Sequence, residues 1–345
     1  MDMNRKSIVI VGPTAVGKTE YAIDIANRYK GEVVSADSMQ IYKGFDIGSA
    51  KPTKEERNQA KHHLIDMIDP KEDFSVAQYQ SLASEVIEQL FEKDLTPVIA
   101  GGTGLYVNSL IYDMDFSHTG RHEQIRKKLE READLLGNDH LHQMLAKQDP
   151  EAASRLHPNN LKRVIRALEL IETSDGESSL RSFEQSFKPN KLMDPIIIFL
   201  TRDREELYER IEKRVDILMD AGLVDEVRKL KESGLSNEHI SMKGIGYKEI
   251  AGYIDGEYDE ERAVYLTKRN SRHYAKRQLT WFKRYPNSHI FNLSEYESKG
   301  LTQVDQIDKE SAQTNKDSVM VQNGKDSALA DICKPIDTFL YPESK

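Results

Sequence analysis

The feature of this sequence that most restricts its fold is a glycine-rich turn placed directly after a short β-branched run. Residues 7–11 (SIVIV) predict a buried parallel strand, and residues 19–29 carry apolar and aromatic side chains at helical spacing. Between them, GPTAVGKT matches the phosphate-binding pattern G-x-x-x-x-G-K-[ST] in the strand, turn and helix context that the pattern requires. This arrangement favours an α/β fold with ligands at the carboxyl edge of a parallel sheet.

The turn, here called the P-loop (residues 12–19), predicts a site for a polyphosphate. Its backbone N–H groups point inward, and the helix that follows adds a partial positive charge at its amino end. Lys18 is expected to contact the terminal phosphates, and the Thr19 hydroxyl is expected to bind Mg²⁺. The motif leaves open whether the phosphates belong to a nucleotide. The residues assigned to this site are Gly12, Pro13, Thr14, Ala15, Val16, Gly17, Lys18 and Thr19.

The rest of the chain predicts a doubly wound parallel sheet with a helical insertion domain. Strand-like runs at residues 32–37, 96–102 and 195–200 alternate with helical stretches, whereas residues 121–170 carry only charged amphipathic segments. We expect a first part of the core over residues 1–118, the insertion over 119–192 and a second part of the core over 193–294. Residues 295–345 are polar and poor in aromatics, which predicts a flexible tail.

Composition restricts the classes of site and partner. The single cysteine, Cys333, excludes an internal disulfide and a cysteine-based zinc site, and the adjacent pair His62 and His63 predicts a structural role because neighbouring strand residues point apart. A net charge of −9 argues against indiscriminate coating of nucleic acid. The apolar run near the amino terminus is too short to cross a membrane and lacks a cleavage region. We therefore expect a cytoplasmic protein without membrane association.

One acid stands out near the predicted phosphate site. The strand at residues 96–102 runs into GGTG without the carboxylate that usually holds Mg²⁺ in P-loop ATPases. The strand-end acid is instead Asp37, which suits a general base that takes a proton from an acceptor facing the phosphates. Ala-Asp-Ser is equally typical of a helix N-cap, so the residues alone leave both interpretations open.

A basic segment predicts contact with nucleic acid. Residues 268–285 (KRNSRHYAKRQLTWFKRY) hold seven Lys or Arg and no acid. Helical spacing places basic side chains in two adjacent rows: Lys268, Arg272 and Lys276, then Arg269, His273 and Arg277. Such a stripe predicts salt-dependent binding to phosphates. Tyr274 and Trp281 can stack on unpaired bases or pack into the core; we expect aromatic side chains inward and cations toward RNA.

Together these motifs resemble the tRNA dimethylallyltransferase family, the bacterial-type tRNA isopentenyltransferases. The stretches that carry the resemblance are GPTAVGKT, SADSMQIYKGFDIGSAKP, HHLID, VIAGGTGLY, HPNNLKRVIRALE, RIEKRVDILMDAGLVDEV, KGIGYKE and RHYAKRQLTWFKR. They occur in family order over residues 8–284, and the long second block is far more specific than the P-loop alone.

The resemblance implies a reaction and roles for individual residues. A dimethylallyl group passes from dimethylallyl diphosphate to N6 of the adenosine 3′-adjacent to the anticodon of tRNA, with Mg²⁺ as cofactor and diphosphate as product. The two substrates enter a channel through the core from opposite ends. Asp37 corresponds to the general base, Thr14 and Lys18 to catalytic residues, and Arg214 to a diphosphate contact, with Arg210 one turn before it. We expect a monomer.

The resemblance also implies a tRNA-contacting surface. The matching positions, with three residues added from the basic segment, are Asp37, Ser38, Met39, Gln40, Thr103, Arg126, Lys162, Arg163, Arg166, Lys243, Gly244, Gly246, Tyr247, Lys248, Arg272, Lys276 and Arg277. One alternative is a small-molecule kinase on the same P-loop fold, with Asp37 as base for a hydroxyl acceptor. Another is a nucleotide-dependent RNA-binding switch without transfer chemistry.

Overall fold

A computed structural model describes residues 5–114, 116, 123–173, 188–296 and 313–342. Within these ranges six strands form one sheet in the order β3-β2-β4-β1-β5-β6, and every neighbouring pair is parallel. The strands are β1 (Lys6–Val11), β2 (Gly31–Ser35), β3 (His62–His63), β4 (Thr96–Gly101), β5 (Asp194–Thr201) and β6 (His289–Asn292). The predicted α/β class with a P-loop-type parallel sheet is confirmed.

Helices follow most of the strands, and the chain divides into two compact units. Unit 1 comprises Met1–Ile111 and Lys191–Lys345, and unit 2 comprises Tyr112–Asn190. The helices are α1 (Lys18–Arg28), α2 (Lys54–Gln59), α3 (Val76–Glu92), α4 (Gly104–Ile111), α5 (Glu123–Leu136), α6 (Asn138–Gln148), α7 (Pro150–Arg155), α8 (Leu161–Thr173), α9 (Arg204–Asp220), α10 (Leu223–Glu232), α11 (Tyr247–Ile254), α12 (Glu260–Phe282) and α13 (Gln313–Leu340), with a 3₁₀ turn at Ser241–Lys243.

The register of the sheet explains where a site can form. Val11 of β1 pairs with Gly101 of β4, and Ser35 of β2 pairs with Ala100, so three neighbouring strands end almost level. Each end is followed by a turn that the sequence marks as functional: the P-loop, Asp37 and the glycine turn after β4. The turns after β2 and β4 lie close together, because a Cβ added to Gly101 would lie 2.2 Å from the Ala36 carbonyl oxygen.

Unit 2 consists mainly of helices in its described residues and has its own apolar core. Side chains from α5, α6, α7 and α8 form it, and the fully buried ones include Leu129, Leu141, Leu145 and Val164. This core explains the amphipathic pattern in the sequence of the segment, because each helix contributes one apolar face to it.

The carboxyl-terminal segment differs from the prediction of a flexible tail over residues 295–345. Within it, α13 buries Ala328, Ile332, Cys333 and Ile336 in the same core cluster as β1, α1 and β5. The prediction was wrong because these side chains form a narrow stripe at helical spacing that the polar composition of the segment conceals. Cys333 is accordingly a buried free thiol of the core.

Polar contacts also fasten α13 to unit 1. Lys6 Nζ donates to the Phe339 carbonyl oxygen at 2.6 Å, and the Tyr29 hydroxyl donates to Asp337 Oδ1 at 2.8 Å. Lys325 Nζ lies 2.9 Å from the Asp24 carboxylate of α1. The helix is therefore held at several points along its length.

The two adjacent histidines of β3 have protein partners. His63 Nε2 lies 2.6 Å from Glu32 Oε2, and His62 Nδ1 lies 2.7 Å from the Ala60 carbonyl oxygen. Among the residues that the structure describes, no helix combines the length and apolar character needed to cross a membrane.

The packing of α13 predicts a stability effect. Ile332→Ala should lower the free energy of unfolding by about 2–4 kcal/mol, because it removes a fully buried side chain and leaves a cavity. Lys334→Ala, on the exposed face of the same helix, should change it by less than about 0.5 kcal/mol. Urea unfolding followed by the fluorescence of Trp281, the single tryptophan, measures both. Equal, near-zero effects would contradict the docking of α13.

Candidate active site

The P-loop joins β1 to α1 in a conformation that glycine makes possible. A Cβ added to Gly12 would lie 2.5 Å from the Leu200 carbonyl oxygen of β5, so the loop runs against the neighbouring strand. Gly17 has a φ of 108°, which side-chain-bearing residues rarely adopt. Lys18 Nζ donates to the Pro13 carbonyl oxygen at 2.7 Å, so the ammonium folds back over the loop.

Two arginines from the second half of unit 1 hold the outside of the P-loop. Arg210 Nε donates to the Ala15 carbonyl oxygen at 3.0 Å, and Arg202 Nε donates to the Val16 carbonyl oxygen at 3.1 Å. Arg202 is buried and also pairs with Glu206. Arg210 thus binds the backbone of the P-loop and does not line the cavity beside it, so its predicted contact with diphosphate stays a prediction. Sequence reasoning missed Arg202, which belongs to no recognised motif.

Two basic side chains, Lys18 and Arg214, are partly buried at the P-loop. Burial lowers the pKa of the Lys18 ammonium to about 7, with a further lowering by Arg214 and an opposing rise from Asp37. Burial also lowers the pKa of Arg214, whereas Asp37 and Glu56 raise it. Arg214 makes no hydrogen bond or ion pair with any residue in the described part of the chain. The two cations and Asp37 are therefore close enough to influence one another.

Asp37 takes the capping role that its sequence context allowed, and its role as a general base stays a prediction. Its Oδ1 accepts hydrogen bonds from the backbone N–H groups of Met39 at 2.8 Å and Gln40 at 3.3 Å, so the carboxylate caps the turn that follows β2. No hydrogen bond to Oδ2 comes from the described residues. Burial, and after it the charge of Asp37, raise the pKa of Tyr274 to about 12. Hydrogen bonds thus fix Oδ1 of Asp37, and the charge of the carboxylate raises the pKa of Tyr274.

A cavity of about 770 Å³ in unit 1 contains both the P-loop and Asp37. It gathers most of the predicted residues of this unit around one space, and the predicted residues on its wall are Thr14, Ala15, Gly17, Lys18, Thr19, Asp37, Ser38, Met39, Gln40, Arg214, Lys243, Gly244, Gly246, Lys248 and Arg277. Thr103 supports this wall because its Oγ1 accepts a hydrogen bond from the Ser38 N–H at 3.1 Å. The structure therefore joins the predicted phosphate and acceptor sites in one cavity.

Tyr247 has a different position from that expected of a tRNA contact. Its side chain is fully buried, and its hydroxyl donates to Glu226 Oε1 at 2.8 Å and accepts from the Ser49 N–H at 3.0 Å. The side chain cannot reach RNA from this position. It instead supports residues 48–50, which line the cavity.

Glu226 is a further residue that sequence reasoning missed. Its carboxylate accepts hydrogen bonds from three consecutive backbone N–H groups, those of Asp46 at 3.1 Å, Ile47 at 2.7 Å and Gly48 at 3.0 Å. A loop whose amides converge on one carboxylate is held tightly. No pattern in the sequence distinguishes this glutamate from the other acids of α10.

The basic stripe on α12 is partly neutralised. Lys268 Nζ lies 2.6 Å from Asp216 Oδ1, and Arg272 pairs with Glu212, both acids belonging to α9. Lys276 and Arg277 are exposed and make no ion pair with the described residues. Within the predicted set, these two cations are therefore the ones on α12 that remain available to an external phosphate.

The aromatic residues of α12 separate into two roles. Tyr274 lines the cavity. Trp281 packs against α4, where its Nε1 lies 3.4 Å from Asn108 Oδ1 and 2.3 Å from where a Cβ of Gly104 would lie. Tyr274 is thus placed to meet a base, whereas Trp281 belongs to the packing between α12 and α4.

In unit 2 the predicted tRNA contacts also divide into two kinds. Arg126 and Arg166 both pair with Glu169 Oε2, at 2.7 Å and 2.9 Å, and Glu169 is fully buried. Lys162 and Arg163, at the start of α8, are exposed. Arg126 therefore joins α5 to α8, and Arg166 pairs with Glu169 within α8. Lys162 and Arg163 form no ion pair with the described residues.

A divalent cation would find few protein ligands here. No group of three His, Cys, Asp or Glu side chains arranged for a metal occurs in the ranges that the structure describes. Thr19 lines the cavity beside Lys18. The Mg²⁺ contact expected of Thr19 therefore stays a prediction.

Comparisons with known proteins agree on one family. The family described as IPP transferase matches residues 40–285. The chain is 50% identical over 296 residues to a tRNA dimethylallyltransferase of Alkaliphilus oremlandii, covering 86% of this chain and 94% of that protein. It is 50% identical over 291 residues to a tRNA dimethylallyltransferase of Acetivibrio thermocellus, covering 84% and 93%.

Solved structures give the same result. A tRNA isopentenylpyrophosphate transferase from Bacillus halodurans matches with a TM-score of 0.61 and 39% identity over 96% of this chain and 99% of that chain. A eukaryotic dimethylallyltransferase, seen in crystallographic snapshots acting on tRNA, matches with a TM-score of 0.71 and 27% identity over 87% of this chain and 78% of that chain.

The lowered pKa of Lys18 predicts a proton linked to phosphate binding. Above about pH 7 the free ammonium loses its proton, and an arriving diphosphate restores it because the anion favours the charged form. At pH 8, binding of inorganic diphosphate should take up about one proton more than at pH 6, where Lys18 is already charged. Isothermal titration calorimetry in buffers of different ionisation enthalpy measures this uptake.

The matched control for this measurement is Lys18→Arg, whose guanidinium keeps its proton throughout this range. Titration of the ligand itself contributes equally to both proteins. If wild type and Lys18→Arg take up the same number of protons at pH 8, the assignment of the proton to Lys18 is wrong.

Proposed function

The chain belongs to the IPP transferase family, and on that premise we propose that it transfers a dimethylallyl group from dimethylallyl diphosphate to N6 of the adenosine 3′-adjacent to the anticodon in tRNA, releasing diphosphate. The observation that carries this proposal is that the P-loop cations and Asp37 line one cavity. Such a site can hold a diphosphate leaving group and a nucleophile at the same time.

The cations suit the departure of diphosphate. When the bond from the allylic carbon to oxygen breaks, negative charge grows on the leaving oxygen. Lys18 and Arg214 line the cavity at the P-loop, and we propose that they stabilise that charge. The Thr14 hydroxyl belongs to the same wall and is proposed to contact the bridging or terminal phosphate.

Asp37 suits the acceptor half of the reaction. The N6 lone pair of adenosine is delocalised into the purine, so the amine is a poor nucleophile. A carboxylate that takes the N6 proton as the new C–N bond forms lowers this barrier. The hydrogen bonds from Met39 and Gln40 hold Oδ1, so Asp37 enters the reaction with its orientation already fixed.

Mg²⁺ is proposed as the metal cofactor. Thr19 would hold it together with phosphate oxygens of the donor, and it would neutralise charge on the departing diphosphate. The proposed P-loop contacts do not depend on its position, because Lys18 and Arg214 are protein groups that contact the diphosphate themselves.

The proposed acceptor is the anticodon loop of tRNA, and the protein is proposed to act as a monomer in the cytoplasm. In unit 1 the exposed cations Lys276, Arg277, Lys243 and Lys248 surround or border the cavity-lining segments of α12 and α11. In unit 2, Lys162 and Arg163 offer a second group of exposed cations. A single-stranded loop with a splayed base suits such a surface, because RNA loops are read by phosphate contacts and stacking.

The reaction is tested directly by transfer of label. Wild type, given dimethylallyl diphosphate labelled in the allyl group, Mg²⁺ and unmodified tRNA, should place label in RNA. Asp37→Asn should lower the rate by about 10²–10⁴-fold, because it removes the base. Asp94→Asn, which neutralises an exposed acid outside the cavity, should leave the rate unchanged.

The same assay separates the alternatives. ATP consumption without label in RNA would support a kinase, and RNA binding without transfer would support a switch. Full activity of Asp37→Asn would contradict the assignment of the base and leave the transfer reaction itself intact.

The division of cations on α12 predicts how salt affects tRNA binding. Replacing Lys276 and Arg277 with Gln should reduce the slope of log affinity against log salt by about 1 for each phosphate contact that is lost. Replacing Lys30 and Lys334 with Gln removes the same charge at exposed positions away from α12 and should leave the slope unchanged. Filter binding at several salt concentrations measures both, and equal slopes for the two double variants would contradict this surface.

A further inference from the structure

We propose that Gln278 of α12 is a positioning residue that fixes the distance between the P-loop and the turn that supports Asp37. The inference rests on the transfer function proposed above, because it assigns Gln278 a part in holding donor and acceptor together. Gln278 itself is placed by its hydrogen bonds and its burial, and neither depends on that function.

Both ends of the Gln278 amide bind backbone. Its Oε1 accepts from the Thr14 N–H of the P-loop at 2.9 Å, and its Nε2 donates to the Gly102 carbonyl oxygen at 2.9 Å. The residue is only 5% exposed. A flipped amide would place donor against donor and acceptor against acceptor, so the two bonds also fix its orientation.

Gly102 connects this amide to the acceptor side of the cavity. It precedes Thr103, whose Oγ1 accepts a hydrogen bond from the N–H of Ser38, the residue after Asp37. A Cβ added to Gly102 would lie 2.3 Å from Gln278 Nε2, so any larger residue here would displace the end of the Gln278 side chain. One side chain thus links the phosphate loop to the turn that holds the general base.

The reaction needs this distance to be fixed. The N6 lone pair forms a bond to the allylic carbon, the carbon–oxygen bond breaks with its electron pair leaving on diphosphate, and the N6 proton passes to the Asp37 carboxylate. The donor is held at the P-loop and the proton acceptor lies beyond the β4 turn. A misplacement of about 1 Å between them can cost about 100-fold in rate.

The test replaces Gln278 with an apolar side chain of similar length. Gln278→Met should lower kcat by about 10- to 100-fold while KM for both substrates changes by less than about threefold, because binding contacts remain and alignment is lost. Gln80→Met is the matched control. Gln80 Nε2 also donates to a backbone carbonyl oxygen, that of Ser109 at 2.7 Å, but Gln80 does not line the cavity. An equal fall in kcat for the control, or a loss confined to KM for tRNA, would overturn the proposal.

A double variant tests whether Gln278 acts through Gly102. Gly102→Ala displaces the end of the Gln278 side chain, so it should lower kcat by a similar factor. If the two residues act through one contact, the double variant loses no more than the worse single variant. Losses that multiply would refute the shared contact.

Amide hydrogen exchange provides a readout that is independent of turnover. The P-loop peptide containing Thr14 should exchange faster in Gln278→Met than in wild type or Gln80→Met, because the Thr14 N–H loses its acceptor. Unchanged exchange would overturn the positioning role even in a fully active enzyme. If Gln278→Met exchanges faster but the wild-type protein transfers no label to RNA, the positioning role stands and the proposed function is wrong.

Discussion

The site depends on two cations, Lys18 and Arg214, that lie near the Asp37 carboxylate in one partly buried cavity. Among the described residues, neither cation forms an ion pair with that carboxylate. Lys18 has a single hydrogen-bond partner among the described residues, the Pro13 carbonyl oxygen, and Arg214 has none there. Burial makes the charged form of each cation costly. That cost is relieved when an anion of high charge density arrives, which supports the proposed diphosphate site.

A second lysine shows how differently the same side chain is used in a structural role. Lys51 is buried, and its ammonium donates to the Tyr42 carbonyl oxygen and to the carboxylates of Asp46 and Asp66. Its charge is therefore satisfied within the loop that follows Asp37. Glu226 holds the same loop from the other side through three backbone N–H groups. The charge of Lys51 is thus paired with carboxylates, whereas Lys18 and Arg214 form no ion pair with the described residues.

The sequence predicts the parts of the site that depend on local pattern. The P-loop follows from strand, glycine turn and helix, and Asp37 follows from its position at a strand end, since parallel strands present those ends at one edge. Gln278 was not predictable, because its role depends on backbone groups 264 and 176 residues away. The helix α13 was missed because four buried side chains in a polar segment give too weak a pattern. The stripe on α12 was recognised, but its partial neutralisation depends on acids of α9 that lie 52 and 60 residues away.

The connection between α12 and the P-loop has a further consequence, because it allows the binding of one substrate to change the affinity for the other. The outer face of α12 carries the exposed cation Lys276, whereas Arg277 and Gln278 line the cavity and Gln278 holds Thr14. An RNA that binds the outer face therefore contacts a helix whose other side is bonded to the phosphate loop. Any shift of α12 on binding RNA changes the geometry of the donor site, and thermodynamic reciprocity requires that a bound donor alters the affinity for RNA by the same factor. The single α12 helix thus provides a physical route by which the two substrates can influence each other without direct contact.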